Sequence, residues 1–162
     1  MKTLAALFAA FVLSLSFTQA HALMPFPKKP DASLTPGDLC RQADQIRYPE
    51  RIKYCERNVD LETKKWVIQE YDRKFGYEID RMDRQNFKID HYFPLCAGGS
   101  NHISNLWPQH ESVYVITDIL EAKICEKMAE GRLRQLEALQ IVKIGKSDLN
   151  QVSKLLRQLE AL

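Results

Sequence analysis

The 162-residue sequence lacks several features that would indicate a function class on their own. It has no Cys-x-x-Cys pair, which argues against a four-cysteine zinc site. Its formal net charge is only +2, so the overall charge does not indicate a nucleic-acid-binding protein. The sequence also has no internal repeats, low-complexity tracts or Gly-rich phosphate-binding loops. The function must therefore be sought in a local group of residues.

The longest apolar run lies at the N-terminus, and it is too short to span a bilayer comfortably. It covers residues 4–17 after Lys2, and small residues follow at Ala20 and Ala22. We therefore predict a secretory signal peptide, residues 1–22, cleaved after Ala20 or Ala22. The mature protein would be secreted or periplasmic, with no membrane segment left after signal removal. Losing Lys2 lowers the formal net charge from +2 to +1.

Export changes the interpretation of the four cysteines, which are Cys40, Cys55, Cys96 and Cys125. An even number of cysteines in an oxidising compartment predicts two disulfides, for which three connectivities exist. We favour Cys40–Cys55, which would close a short loop, together with Cys96–Cys125. The second bridge would attach a turn in the middle of the chain to the helix that follows it.

The densest group of candidate functional residues lies between residues 89 and 110. Asp90 and His91 are adjacent, and Asn105 and His110 follow a Gly-Gly turn. Hydrolysis of a phosphodiester needs a base that deprotonates water and a cation that neutralises charge on the phosphate. A histidine can be the base near neutral pH, and a carboxylate is a hard oxygen ligand for a divalent cation. These residue types therefore fit a phosphodiesterase.

The same stretch resembles the HNH motif of ββα-metal nucleases, with His91, Asn105 and His110 as its three letters. The chain is also similar to small exported bacterial HNH endonucleases outside this motif. The additional similarity lies in Cys55-Glu56-Arg57-Asn58, residues 87–100, Asn105-Leu106-Trp107-Pro108-Gln109 and Cys125-Glu126-Lys127-Met128.

The resemblance implies a metal-dependent endonuclease that acts on DNA, with RNA as an additional candidate substrate. His91 would be the general base, and Asn105 would organise the loop that carries it. Asp90 and His110 would contact one divalent cation. Mg²⁺ is the expected ion, and Mn²⁺ and Zn²⁺ are the alternatives. Disulfides would replace the structural zinc of zinc-stapled relatives, and the sequence names no inhibitor protein.

Several of these residues also have a purely structural explanation. Asn105 could cap a turn through its side-chain amide, and His110 could be an ordinary surface histidine. Asp118 becomes a rival metal ligand if the next helix begins there, and His102 is expected to face solvent. The alternative function is an exported, disulfide-stapled binding module without catalysis.

Basic residues gather just upstream of His91, where they could contact phosphates on either side of a scissile bond. We take Arg84 and Lys88 as the candidates. Acidic residues are interleaved with the basic ones, so a solvated surface of mixed charge is the alternative. The basic residues of this stretch are Arg73, Lys74, Arg81, Arg84 and Lys88.

Apolar periodicity predicts an α+β fold with a strand–turn–strand–helix unit and mostly helices outside it. The resemblance implies that this unit is a ββα-metal core near residues 85–130. Residues 23–37 are predicted to be a Pro-rich flexible segment before a single domain, residues 38–162. The predicted helices cover residues 39–46, 61–75, 116–131, 133–144 and 148–159, with breaks at Gly131 and Gly145. The predicted strands cover residues 87–93 and 103–107.

Two local features stay open at this point. Strict alternation along a strand would send Asp90 and His91 to opposite faces, although the implied mechanism needs both near one cation. A twist or a bulge at the strand end is the simplest remedy. The start of the following helix is also open, because Ser112 could be its cap, and so could Asp118 in a capping box with Glu121.

Overall fold

The computed structural model describes residues 25–162, so the predicted signal peptide, residues 1–22, lies outside the described residues. The described chain has an α+β fold with two disulfides, as predicted. None of its helices is long and apolar enough to cross a membrane. Its strands are β1 (Gln45–Arg47), β2 (Ile52–Tyr54), β3 (Phe87–His91) and β4 (Leu106–His110). Its helices are α1 (Leu61–Phe75), α2 (Glu111–Ala129), α3 (Gln135–Ser147) and α4 (Val152–Glu160).

Helix α1 has the predicted bounds, because local signals at both ends define it. The Asp60 side chain accepts a hydrogen bond from the Thr63 N–H at 2.7 Å and so satisfies one of the free amides of the first turn. Gly76 ends the helix in the left-handed conformation, with φ of 71°, where a glycine has no steric cost. The helix packs Val67, Ile68 and Tyr71 into the protein.

The helix predicted for residues 39–46 is wrong. Residues 45–47 are strand β1, which pairs antiparallel with β2, and Leu39 forms an isolated bridge with Gly99. Asp38 caps no helix, since its Oδ2 instead accepts a hydrogen bond from Ser100 Oγ at 2.6 Å. The Cys40–Cys55 disulfide, with 5.7 Å between its Cα atoms, holds this segment beside β2. The pairing of β1 with β2 and of Leu39 with Gly99 outweighs the helical pattern of the local sequence.

Strands β3 and β4 pair antiparallel in a regular register, from Phe87 opposite His110 to His91 opposite Leu106. Strand β3 ends at His91, two residues earlier than predicted. Strand β4 begins three residues later than predicted, because residues 103–105 form a short 3₁₀ turn. Each residue of β3 faces one residue of β4, so the expected bulge is not present in this pair.

Helix α2 begins directly after β4, with His110 as its N-cap. Nδ1 of His110 accepts a hydrogen bond from the Ser112 N–H at 3.1 Å, so neither Ser112 nor Asp118 is the cap. After α2 the chain turns at Gly131, which has a φ of 72°. Helix α3 continues through Gly145, where a break was predicted. A Cβ atom there would lie 2.4 Å from Leu120 Cδ2, so this glycine permits close packing of α3 on α2.

The buried apolar residues form two clusters. One lies between α2, α3 and α4 and includes Leu120, Ile124 and Val142. The other joins α1 to the β3–β4 pair and includes Tyr71 and Trp107. Burial of each large apolar side chain stabilises the fold by about 1.5–3 kcal/mol. The second cluster contains the buried apolar residues of the β3–β4 pair, and the first holds the three C-terminal helices together.

The two disulfides have the predicted connectivity. Cys40–Cys55 attaches the segment before β1 to the end of β2. Cys96–Cys125 joins the loop after β3 to α2, with 5.6 Å between the Cα atoms. The described cysteines include none that is free. Disulfides persist in oxidising compartments, which agrees with an exported protein.

The Pro-rich segment before the domain is irregular but anchored over the part that the structure describes. Phe26 is buried in the cluster around α1, and Thr35 is completely buried. Thr35 Oγ1 donates a hydrogen bond to the Leu106 carbonyl at 2.8 Å and lies 2.8 Å from the Tyr71 hydroxyl. The expectation of a flexible segment at residues 23–37 is therefore corrected for residues 25–37. Proline content indicated the lack of regular structure but not these contacts.

Candidate functional site

The candidate site is built around the end of β3. Because cross-strand partners point to the same side of a sheet, Asp90 shares its face with Trp107, and His91 shares the opposite face with Leu106. The Asp90 side meets α2 and α3, whereas the His91 side meets the chain after β2. The two neighbouring residues thus lie on either side of one strand end.

Asn105 organises the loop that follows His91. Its side chain is completely buried, and its Oδ1 accepts a hydrogen bond from the Phe93 N–H at 2.8 Å. Its Nδ2 donates to the Phe93 carbonyl at 3.0 Å and to the Ser100 carbonyl at 2.9 Å. Gly99 lies so close that a Cβ atom there would be 1.8 Å from the Phe93 carbonyl oxygen. The Asn105 side-chain amide therefore supplies the hydrogen-bond partners of these backbone groups and fixes the path of the loop.

His91 is almost completely buried, with 3% of its surface exposed. Its Nε2 lies 3.0 Å from Oδ1 of Asn101. Burial lowers the pKa of His91 to about 4, and the nearby Arg57 and Lys146 add to this effect against the Asn101 hydrogen bond and the Asp90 carboxylate. The imidazole is therefore neutral at pH 7, which is the protonation state that a general base requires.

Three carboxylates meet on the other side of the strand end. Asp90 from β3 and the pair Asp118 and Glu121 from α2 each offer an oxygen, and these atoms lie within 4.8 Å of one another. The two α2 residues are three positions apart, so they project from the same face of the helix. This group of three residues is called the acid cluster below. Its all-oxygen donor set fits Mg²⁺ or Mn²⁺ better than Zn²⁺, which favours nitrogen and sulfur ligands.

Two lysines bind the acid cluster. Lys146 of α3 places its Nζ 3.1 Å from Asp90 Oδ2, 2.5 Å from Glu121 Oε1 and 2.5 Å from the His91 carbonyl oxygen. Lys88 places its Nζ 2.5 Å from Asp118 Oδ1 and 3.8 Å from Asp90 Oδ1. Three carboxylates and two ammonium groups leave a net charge of −1 when all are ionised. The cluster therefore attracts a cation when Glu121 is ionised.

The charges of the cluster shift one another's pKa values. Burial alone would raise the pKa of Asp90, but the ammonium groups of Lys146 and Lys88 outweigh it and lower the pKa. Burial opposes the charge of Lys146, yet Asp90 and Glu121 raise the pKa of this lysine. Burial raises the pKa of Glu121, and the Asp90 carboxylate adds to that rise against the attraction of Lys146. Glu121 is thus the member that accepts a proton most readily.

The structure does not bring His110 to Asp90, so the predicted metal pair is corrected. His110 is opposite Phe87, three residues before Asp90, which is about 10 Å along a strand. It also points to the other face, where its ring stacks on Phe26 with centroids 3.9 Å apart. The predicted rival, Asp118, lies at Asp90 instead. His102 is exposed, as expected, and caps the 3₁₀ turn before β4.

The predicted phosphate contacts are engaged within the protein. The guanidinium of Arg84 donates a hydrogen bond to the Phe87 carbonyl, and Lys88 belongs to the ion pairs of the acid cluster. Arg57 is better placed, because it is exposed and near His91. One of its terminal nitrogens donates to the Ile89 carbonyl at 2.9 Å. Five nitrogen-bound protons on a planar group leave further donors for a phosphate.

Sequence reasoning missed four residues of this site: Arg57, Asn101, Glu121 and Lys146. Arg57 and Asn101 lay within stretches that carried the family resemblance, so a signal for them existed. Glu121 was considered only as part of a helix cap. Lys146 fell in the predicted break between two helices that were interpreted as packing elements, and no local pattern marks it. Comparisons with protein-family models, with curated proteins and with solved structures find no match to this chain.

Proposed function

We propose that this protein is an exported, metal-dependent endonuclease of the HNH type that hydrolyses phosphodiester bonds in DNA, with RNA as a second substrate to test. The observation that carries the proposal is a neutral, hydrogen-bonded histidine at a strand end, with three carboxylates across the strand. The order β3, β4, α2 is also the order that a ββα-metal core requires. The two disulfides agree with export to the periplasm or the exterior.

In this proposal His91 is the general base. Its neutral imidazole would take a proton from a water molecule as that water attacks the phosphorus atom. Asn105 would keep the loop after His91 in place through its three hydrogen bonds. The Asn105 side chain thus has a structural part in the site rather than a chemical one.

The acid cluster would hold the cation, with Asp90 and Asp118 as ligands and Glu121 as a third donor. Because Asp90 and His91 lie on opposite faces of β3, the phosphate would have to lie across the strand end. A divalent cation in the acid cluster would then supply positive charge to the phosphate and to the leaving oxygen. Lys146 and Lys88 pair with the same carboxylates, so they would have to release or share some oxygens. Mg²⁺ is the expected ion, followed by Mn²⁺ and then Zn²⁺.

Arg57 replaces Arg84 and Lys88 as the proposed phosphate contact. Its guanidinium is fixed to the β3 backbone beside His91 and keeps free donors. A fixed guanidinium loses less conformational freedom on binding than a mobile lysine does. We propose that Arg57 holds the phosphate next to the scissile bond.

A second function is favoured by one observation. The two lysines already neutralise most of the acid cluster, which is how a purely structural network of buried charges would look. In that case the protein is an exported, disulfide-stapled binding module, and His91 only fills space. No partner for such a module is identified by the site.

A plasmid-nicking assay separates the two functions. Purified, disulfide-bonded protein is incubated with supercoiled DNA, or with RNA, in Mg²⁺, Mn²⁺ or Zn²⁺ and then with a chelator. The proposal expects cation-dependent cleavage that His91→Ala lowers by a factor on the order of 100 or more. His102→Ala is the matched control, because that exposed histidine lies outside the proposed machinery. If no cation supports cleavage, the nuclease proposal is wrong and the binding module is the remaining function.

A further inference from the structure

We propose that Asn101 is a positioning residue for His91. Its amide oxygen keeps the ring proton on Nε2 and thereby leaves Nδ1 as the nitrogen that accepts a proton from water. The position of the ring proton follows from hydrogen-bond geometry, whereas the use of Nδ1 as a base rests on the proposed nuclease function.

The orientation of the Asn101 amide is fixed by two backbone groups. Its Oδ1 accepts a hydrogen bond from the Asn58 N–H at 3.2 Å, and its Nδ2 donates to the Glu56 carbonyl at 2.6 Å. A backbone N–H can only donate and a carbonyl oxygen can only accept, so a flipped amide would lose both bonds. The Asn101 atom that faces His91 is therefore an oxygen.

An oxygen at this position selects one tautomer of the imidazole. Oδ1 of Asn101 lies 3.0 Å from Nε2 of His91, and it has only lone pairs to offer. The hydrogen bond forms only if Nε2 carries a proton. A neutral imidazole has a single ring proton, so Nδ1 is then unprotonated and basic. The opposite tautomer would place two lone pairs against each other.

Asn101 can do this because both segments that it joins are tethered. Glu56 and Asn58 follow Cys55, which the first disulfide attaches to Cys40. Asn101 itself lies in the loop that the second disulfide and the Asn105 side chain hold in place. The amide thus acts as a rigid bridge between two fixed pieces of chain, and His91 is aligned by that bridge.

The tautomer decides whether His91 can start the reaction. The water proton passes to Nδ1 while the water oxygen forms a bond to phosphorus. The bond from phosphorus to the leaving oxygen breaks, and that oxygen takes a proton from a second water molecule. If the proton sat on Nδ1 instead, the nitrogen facing the water would have no lone pair to receive another.

Nitrogen NMR of the full mature protein with ¹⁵N-labelled histidine tests the tautomer directly. Protonated and unprotonated ring nitrogens have well-separated chemical shifts, and His91→Gln assigns the signals. At pH 7 we expect a single neutral form of His91 with its proton on Nε2. A proton on Nδ1, or an even mixture of tautomers, in the wild-type protein would overturn the inference.

Variants then test whether Asn101 is the cause. Asn101→Ala should give a mixture of tautomers and lower kcat by a factor on the order of 10 to 100, as expected for a misaligned catalytic group. KM should change by less than about twofold, since substrate contacts stay intact. Asn101→Asp loses the bond to the Glu56 carbonyl but keeps an oxygen acceptor for Nε2, so the ring proton should stay on Nε2. Asn58→Ala is the matched control, because only its backbone N–H takes part.

The outcomes separate this inference from the proposed function. If the wild-type protein cleaves nucleic acid but Asn101→Ala keeps the pure Nε2–H tautomer and full kcat, the positioning role is wrong and the nuclease stands. If the wild-type protein cleaves nothing with any cation, the proposed function fails. The assignment of Nδ1 as a working base then fails with it.

Discussion

Lys146 and Asp90, 56 positions apart in the sequence, form a buried ion pair with 3.1 Å between Nζ and Oδ2. Both side chains are withdrawn from water, with exposures of 1% and 9%. The same ammonium also contacts Glu121 and the His91 carbonyl oxygen. Lys146 of α3 thus joins the end of β3 to α2. Its ammonium group pairs with the same carboxylate oxygens that a metal ion would bind.

The first prediction is that Lys146 competes with divalent cations. Lys146→Met leaves Asp90 and Glu121 without their partner, so the free energy of unfolding without metal should fall by about 3–5 kcal/mol. Added Mg²⁺ should restore stability and bind more tightly than in the wild-type protein, because binding to the folded state stabilises it by mass action. Thermal melts across a Mg²⁺ series measure both effects.

The matched control for this experiment is Lys154→Met, which removes an exposed lysine from α4. It should change neither the melting temperature nor its dependence on Mg²⁺ appreciably. If Lys146→Met melts at a lower temperature and Mg²⁺ raises that temperature no more than it does in the wild type, the lysine and the cation do not share a site.

The second prediction concerns pH. The pKa of His91 is lowered to about 4 in the folded protein, below the ordinary value of 6.5. The unfolded chain therefore binds the proton more readily, and the stabilising contribution is complete above pH 6.5 and is lost as pH falls toward 4. Its full size is on the order of 3 kcal/mol. The free energy of unfolding in urea should fall between pH 7.5 and pH 4.5. In His91→Gln the decrease should be smaller by the contribution of His91.

The third prediction concerns the cation ligands. Asp118→Asn should weaken the binding of Mg²⁺ or Mn²⁺ roughly tenfold or more, because a charged oxygen ligand is lost. His110→Ala should leave the binding constant unchanged, because this histidine caps α2 away from the cluster. Calorimetric titration measures both values. If His110→Ala binds the cation more weakly while Asp118→Asn binds it as the wild type does, His110 is the ligand and Asp118 is not.

The fourth prediction concerns Arg57. Arg57→Ala should raise KM for DNA and reduce the slope of log affinity against log salt by about one, as expected when one phosphate contact is lost. Filter binding or anisotropy at several salt concentrations measures that slope. Arg157→Ala in α4 is the control for a lost positive charge remote from the site. Equal slopes for the two variants would mean that Arg57 contacts solvent rather than substrate.

Local signals account for the parts of the fold that the sequence predicted correctly. Helix α1 is marked by Asp60 at its start and by Gly76 at its end, so its bounds required no tertiary information. Strand β1 could not be predicted in this way, because its pairing with β2 and the neighbouring disulfide override a helical pattern. Two disulfides were predictable from an even number of cysteines in an exported chain, and the favoured pairing among three was the one that closes the short loop from Cys40 to Cys55.

The candidate site likewise combines residues that local sequence patterns identified with residues that only the tertiary structure brings in. Asp90, His91 and Asn105 lie close together in sequence, so one short motif contained them. Lys146 reaches the cluster only because α3 packs against α2 at Gly145, which no pattern near Lys146 indicates. His110 was misplaced because the sequence does not show the register in which β4 pairs with β3, which places His110 opposite Phe87.

The Cys96–Cys125 bridge closes a covalent ring in the chain, with its two cysteines 29 positions apart. Asn101, Asn105, Asp118 and Glu121 all belong to this ring. A protease that cut one peptide bond on the exposed part of the ring would release no fragment, because both new ends stay attached through the sulfur atoms. After such a cut, the arrangement keeps the two halves of the site on one molecule.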